Sequence, residues 1–366
     1  MSILKKTKNL FSYKKPIVSD NTFLVWEPCS QSHAEVVPGY AKYLLELGYH
    51  VSILITPERY KEGLFSKFDN NQNISYNVMT QKQIRKFFKK NSINNIKGLL
   101  VTTVGKLYNG IDFSKVYSSF NRDVDKSKLF FVEHEIDKPI DNNALDNPII
   151  TLRKMNYKNI RTIPINPHYF GSIKTQQKNN ITNLVTIGAL SEKRKSTKVI
   201  INAIDKLITQ GITNFKVTVV GKGKISDLPT HLHSYIDIKG RLDFDKMYTE
   251  IEKADFILSA YEDIEEHLKY ATSKTSGAYQ LVYGFLKPII IKANHAPING
   301  FNTVNSLIYN NDNDYTETLT KAIEMTKDQY TLMQNNLKSY TDHLYNESIR
   351  NFKDLIENQI GNITNE

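Results

Sequence analysis

Apolar residues along this chain gather in short β-branched runs that alternate with longer segments of helical period, and the alternation is played out twice. In the first half the runs are TFLVW (22–26), HVSILI (50–55), NISYNV (73–78), KGLLVTTV (97–104), KLFFV (128–132), PIITL (148–152) and IRTIP (160–164). Runs with so little polar alternation predict strands covered on both faces, as in parallel sheets joined by crossover helices. Residues 164–182 lose the period and gain proline, asparagine and lysine, which predicts a loop between domains. The alternation then resumes with NLVTIG (183–188), NFKVTVVG (214–221), SYIDIKG (234–240), DFILSA (255–260) and KPIIIK (287–292). Beyond about residue 315 the strand signal stops, and two helical patterns, 316–344 and 347–360, close the chain. The class predicted is α/β, with two Rossmann-like doubly wound domains over 1–165 and 166–315, and C-terminal helices over 316–366.

The first crossover shows how chemistry enters this pattern. Val37, Tyr40, Ala41, Leu44, Leu45 and Leu47 share one helical face, Lys42 and Glu46 lie opposite, and Gly48 stands where a C-cap belongs. The loop before that helix leaves the carboxyl end of TFLVW, the edge at which open α/β sheets bind ligands, and it carries His33. An imidazole there can take a proton from a hydroxyl or bond to a sugar or phosphate oxygen. The plain alternative is a histidine that caps the helix or faces water.

Composition narrows the chemistry. One cysteine, Cys29, in 366 residues excludes an internal disulfide, a thiolate metal cage and a CxxC redox pair. No run approaches the roughly 20 apolar residues of a membrane span, and the N-terminus lacks a signal-peptide core, so the expectation is a cytoplasmic protein. A formal charge of +10 suits an anionic partner, and the basic stretch 5–15 suits peripheral contact with an anionic membrane face. No basic stripe with interleaved aromatics is present, so nucleic acid is not an expected partner.

A loop histidine, a helix, Leu-x-x-x-Gly-Tyr-His-Val and a strand resemble the N-terminal element of GT-B-fold glycosyltransferases, in particular the retaining family 4 type, also called group 1 glycosyltransferases. Three further elements follow in the family's order. NLVTIGALSEKRKSTKVIINAIDKLITQG resembles the segment whose glycine turn and basic residues hold the donor diphosphate, here Gly188 with Lys193, Arg194 and Lys195. The arginine that commonly follows that glycine is replaced by Ala189. FKVTVVGKGK ends in Gly221 and Gly223, and IDIKGRLDFDKMYTEIEKADFILSAYED resembles the family's next strand-helix-strand unit, with Arg241 placed to reach the nucleotide.

The terminal Lys287-Pro288-Ile289-Ile290 also matches, yet the helix before it opens Ser273-Lys274-Thr275-Ser276-Gly277 and lacks the family's second glutamate. Glu262 corresponds to the first. Lys274, Thr275, Ser276 and Gly277 offer instead an ammonium, hydroxyls and free N–H groups at a helix start, an anion site similar to that of the minority of GT-B transferases with K-x-S. Ordinary capping by Ser273 or Thr275 is the plain alternative. His134, after the strand KLFFV, competes with His33 for the catalytic role.

The resemblance covers most of residues 20–310. It implies a metal-independent transferase with two domains facing a central cleft. That enzyme takes its sugar from a nucleoside-diphosphate donor, a UDP-sugar foremost, and needs no further cofactor. The acceptor implied is a glycan or a lipid- or protein-linked glycoconjugate, as in bacterial surface polysaccharide synthesis. The catalytic candidates are His33, His134 and Glu262. The cluster Glu262, Asp263, Glu265, Glu266, His267 and the run NDND (311–314) carry metal-ligand residue types, but both read as solvated segments. Two rivals share the architecture: a sugar-nucleotide epimerase, and a non-catalytic binding protein on a degenerate transferase fold. Neither the donor sugar nor the stereochemical outcome is fixed by these residues.

Overall fold

The computed structural model describes residues 16, 19–28, 33–90, 93–104, 120, 125–137, 148–158, 160–189, 196–223, 225 and 228–361. These residues divide into two compact units: those within 1–152, 162–169 and 348–361 form the first, and those within 153–161 and 170–347 the second.

The first unit holds a seven-stranded sheet. Its strands are β1 (Thr22–Trp26), β2 (His50–Ile55), β3 (Ile74–Val78), β4 (Gly98–Val101), β5 (Leu129–Glu133), β6 (Ile149–Thr151) and β9 (Ile163–Pro164), in the order β3-β2-β1-β4-β5-β6-β9. Every pairing is parallel. The chain winds outward from β1 in one direction and then in the other, so β1 and β4 flank the point where strand order reverses.

The helix Val37–Glu46 covers this sheet and ends as its glycine predicts. Gly48 lies at φ 85°, its N–H donates to Leu45 O, and the Tyr49 N–H donates to Leu44 O, a Schellman close. Tyr43 is buried where Leu45 was expected, because its hydroxyl donates to the Asn166 carbonyl. At the helix Gln81–Lys90, which follows the edge strand β3, Thr80 and Gln83 bond each other's backbone N–H groups, a capping box.

The second unit repeats the plan. Its strands are β10 (Thr182–Ile187), β11 (Phe215–Val220), β12 (Ile236–Gly240), β13 (Phe256–Leu258), β14 (Ile289–Lys292) and β15 (Leu307–Tyr309), in the order β12-β11-β10-β13-β14-β15. All are parallel, and the reversal falls between β10 and β13. Both faces are covered: Val199, Ile200, Ala203, Ile204 and Leu207 of Thr197–Thr209 pack on one, and Tyr248, Ile251, Tyr279, Val282 and Phe285 on the other. Each valine, leucine, isoleucine or phenylalanine among them contributes about 1.5–3 kcal/mol when fully buried. A short hairpin, β7 (Asn156–Tyr157) with β8 (Ile160–Arg161), also belongs to this unit.

Three expectations are corrected here. IRTIP is two strands, because Ile160–Arg161 turns into the hairpin while Ile163–Pro164 joins β6. Leu307–Tyr309, flanked by asparagine and serine, is a strand that the pattern missed. The terminal helices divide at Met325–Thr326, not near residue 345: Asp312–Glu324 ends there and Lys327–Gly361 runs unbroken. Thr326 and Gln329 form a capping box at that break. The long helix contributes Tyr330 and Leu337 to the second unit and Phe352 to the first, where its ring lies 6.1 Å from Tyr40 and 6.5 Å from Phe23.

Candidate functional site

In each unit the residues with chemistry collect at the carboxyl ends of the central strands, on either side of the reversal. In the first unit, β1 delivers Glu27 and β4 delivers Thr102 and Thr103. The buried Glu27 carboxylate accepts from Thr102 Oγ1 at 2.5 Å and from Thr103 Oγ1 at 2.9 Å. His134, just past β5, places Nε2 3.0 Å from the Thr102 carbonyl and 3.4 Å from Thr103 Oγ1. Because a carbonyl can only accept, Nε2 carries the proton and Nδ1 is the accepting nitrogen. Burial lowers the pKa of His134 to about 4, so this ring is neutral at pH 7.

His33 packs against it, ring centroids 4.3 Å apart. Its backbone is left-handed, φ 72°, and its side chain caps no helix. The capping alternative for His33 therefore fails. The two histidines that competed for one role stand together.

In the second unit β10 ends at Gly188 (φ 115°) and β11 at Gly221. A Cβ on Gly221 would stand 1.7 Å from the Gly188 carbonyl oxygen, so only glycine allows these two turns to nest. Gly221 N–H donates to the Gly240 carbonyl, which sets the exposed Arg241 one residue from the same edge. Gly223 also has positive φ.

β13 runs on to Tyr261 and Glu262. Tyr309 Oη accepts the Tyr261 N–H at 2.9 Å, and the Tyr261 ring stacks on His295 at 4.3 Å. The Glu262 carboxylate accepts from the Ser196 hydroxyl, and its N–H donates to His267 Nδ1 at 2.9 Å. Ser196 in turn accepts from the Val199 N–H at 3.2 Å, so Glu262 braces the start of Thr197–Thr209. The other acidic residues of that segment disperse: Asp263 pairs with Lys292 at 2.7 Å, and Glu265 with Lys269 at 4.0 Å. Among the described residues no group of His, Cys, Asp and Glu is arranged to hold a metal. Asn311 of the NDND run caps the helix Asp312–Glu324.

The helix Gly277–Phe285 opens beside Tyr261, whose hydroxyl lies 3.1 Å from Tyr279 Oη. Its cap is Ser276, accepting from the Ala278 N–H at 3.3 Å, rather than Ser273 or Thr275. The Lys274 ammonium lies 5.3 Å from the Tyr270 ring centre. Thr275 Oγ1 is buried with no hydrogen-bond partner, a costly state for a hydroxyl.

Beneath this helix start lies a residue the sequence did not signal. Arg153 Nη2 is 3.1 Å from Tyr270 O, 3.1 Å from Thr272 O and 2.7 Å from Lys274 O, and Nη1 donates to Lys154 O at 2.9 Å. Burial lowers its pKa, yet guanidinium remains charged at any physiological pH. A buried cation thus fixes the turn that presents Lys274 to Gly277. Lys193, Arg194 and Lys195 lie outside the described residues.

Two parallel sheets, the first wound 3-2-1-4-5-6-7 and the second 3-2-1-4-5-6, make the GT-B fold. Solved structures with the same fold include a glycosyltransferase from Rickettsia africae, at 15% identity and TM-score 0.54 over 93% of this chain and 99% of that one. The pneumococcal O-GlcNAc transferase GtfA, solved with UDP and GlcNAc, superposes at TM-score 0.58 and 11% identity, covering 93% and 99%. An Escherichia coli protein described as trehalose-6-phosphate and bound to UDP-2-fluoro glucose gives 0.55 and 9%, covering 92% and 99%. No protein-family model matches the sequence, and no curated protein matches it significantly.

Proposed function

We propose that the chain is a glycosyltransferase that moves a sugar from a nucleoside-diphosphate sugar, with UDP the favoured nucleotide, to a glycan, lipid-linked or protein-linked acceptor. The observation that carries the reading is the helix start at Lys274–Gly277, where the Lys274 ammonium, the Ser276 cap and a buried Thr275 hydroxyl with no hydrogen-bond partner follow one another in a turn whose Lys274 carbonyl is held by Arg153. UDP stands in the GtfA structure and a UDP-sugar analogue in the Escherichia coli one, which favours a uridine donor here.

In the transfer, an acceptor hydroxyl bonds to the anomeric carbon and the bond from that carbon to the diphosphate oxygen breaks. The electron pair goes to the diphosphate. Stabilising that charge is the dominant catalytic demand. Lys274, the N–H groups of Ser276 and Gly277, Lys193 to Lys195 and Arg241 are assigned to it, with Gly188, Gly221 and Gly223 giving the nucleotide close approach. Glu262 is assigned to a sugar hydroxyl.

The two histidines separate by environment. His134, held neutral by burial, is a weak proton acceptor, and its Nδ1 suits a hydrogen bond from a sugar hydroxyl. His33, half-buried beside it, is the candidate base for the acceptor's proton. No helix among the described residues is long and apolar enough to cross a membrane. The lysines of the stretch 5–15 are assigned to contact with an anionic membrane face.

Calorimetric titration with UDP, GDP, CDP and ADP tests the reading. One diphosphate binds, and Lys274→Ala weakens it by about tenfold or more, the loss of one charge-assisted contact. No binding of any of the four at millimolar concentration would refute it.

A further inference from the structure

A groove of about 660 Å³ opens on the first unit where the connection from β2 folds against the edge strand β3. One wall is aromatic. Tyr60, Phe65, Phe68 and Tyr76 line it, with ring centroids 4.8 Å apart for Phe65 and Tyr76, 5.8 Å for Tyr60 and Tyr76, and 5.5 Å for Phe65 and Phe68. Tyr60 is 41% exposed and the other three rings, packed edge to face at Phe65–Tyr76 and Phe65–Phe68, are half-buried, so part of each ring stays open to a visitor.

The lining also includes a run of polar side chains, Asp69 to Gln72. Asp69 is held by the Tyr169 hydroxyl, and Asn71 Oδ1 takes the Asn73 N–H at 2.8 Å, which together fix the loop. Asn70 and Gln72 are exposed, and their amides bond to no described residue. Each amide both donates and accepts.

Charge selects the class of visitor. In a chain of formal charge +10, no lysine or arginine lines this groove and one aspartate does. Phosphates, nucleotides and anionic lipids find no cationic partner there. A neutral sugar chain does: its C–H faces pack on aromatic rings, and its hydroxyls, each donor and acceptor, match free amides.

We propose that this groove binds a neutral oligosaccharide, separately from the histidine pair, from which it is set apart by strand β2. It holds the body of a glycan whose end is being extended, and tethering by a second contact raises the effective concentration of that end. The use as an acceptor site rests on the transferase reading, whereas the binding itself does not.

Maltohexaose, cellohexaose and hexa-N-acetylchitohexaose, titrated into the full chain and followed by saturation-transfer NMR and calorimetry, test the proposal. At least one binds with a millimolar or tighter Kd. Tyr60→Ala, at an exposed position, weakens it by about tenfold, the equivalent of one stacking contact. The double variant Asn70→Ala, Gln72→Ala weakens it too, and neither variant alters the titration with UDP. The proposal is overturned if none of the three sugars binds at about 10 mM, or if both variants bind them as the parent does. Sugar binding that persists in a chain binding no nucleoside diphosphate would sink the transferase reading alone.

Discussion

Replacing Arg153 with methionine keeps most of the side-chain volume and removes a buried charge that four carbonyls share, three of them at Nη2. The Nη2 group has two hydrogens, so its three contacts amount to about two hydrogen bonds of the charged kind, each about 1.5–3 kcal/mol. Against a gross loss of about 3–6 kcal/mol stands the relief of burying a guanidinium, whose cost shows in its lowered pKa. A net loss of about 2–3 kcal/mol follows, or about 5–10 °C in thermal midpoint for a unit of this size. The turn from Tyr270 to Lys274 also loses its fixed form, and diphosphate affinity falls by about tenfold as preorganisation is lost. Arg153→Lys, a point charge with no planar fork, falls between the two. Thermal unfolding with and without UDP, paired with calorimetry, reads both effects. A lower midpoint with unchanged UDP affinity would refute the positioning role, and no change in either would refute the account of the turn altogether.

Gly221→Ala forces a methyl against the Gly188 carbonyl, with an expected loss of about 1–3 kcal/mol in urea denaturation and weaker UDP binding. His134, with a native pKa of about 4 against 6.5, binds its proton more readily when unfolded. The chain is therefore expected to lose up to about 3 kcal/mol as pH falls from 6.5 to 4, and His134→Gln to lose less over that window. Lys287, buried with Nζ 2.8 Å from Glu252 O, has its pKa lowered to about 8. Between pH 8 and 10 the unfolded chain holds that proton and the folded one releases it, so stability rises with pH from this group, and Lys287→Met removes the rise.

Buried strands were the most legible feature, because a parallel sheet covered on both faces leaves an unmixed apolar run. TFLVW and HVSILI match β1 and β2 residue for residue. Short strands were not: Leu307–Tyr309 is three residues long and depends on β14 for its existence. The sequence pattern places the division of the terminal helices near residue 345 because the amphipathic stripe changes partner along the long helix, whereas the break is a local capping box at Thr326.

At the site, glycines and the helix start could be read from spacing, since local backbone geometry demands them. What tertiary structure adds is pairing. His33 and His134 lie 101 positions apart in sequence and meet because β5 is the second strand over from β1. Arg153 gave no signal at all, since an arginine after a strand is ordinary until three carbonyls 117 to 121 residues later turn toward it.

The central claim is that the chain releases a sugar from its nucleotide. The most direct measurement incubates the protein with UDP-glucose, UDP-galactose and UDP-N-acetylglucosamine and follows free UDP together with the fate of the sugar. The account predicts UDP released from one donor, its sugar transferred to an oligosaccharide or to water, with the rate cut by about tenfold or more in Lys274→Ala. Intact donors throughout, or a donor returned as an isomerised sugar nucleotide without free UDP, would contradict it.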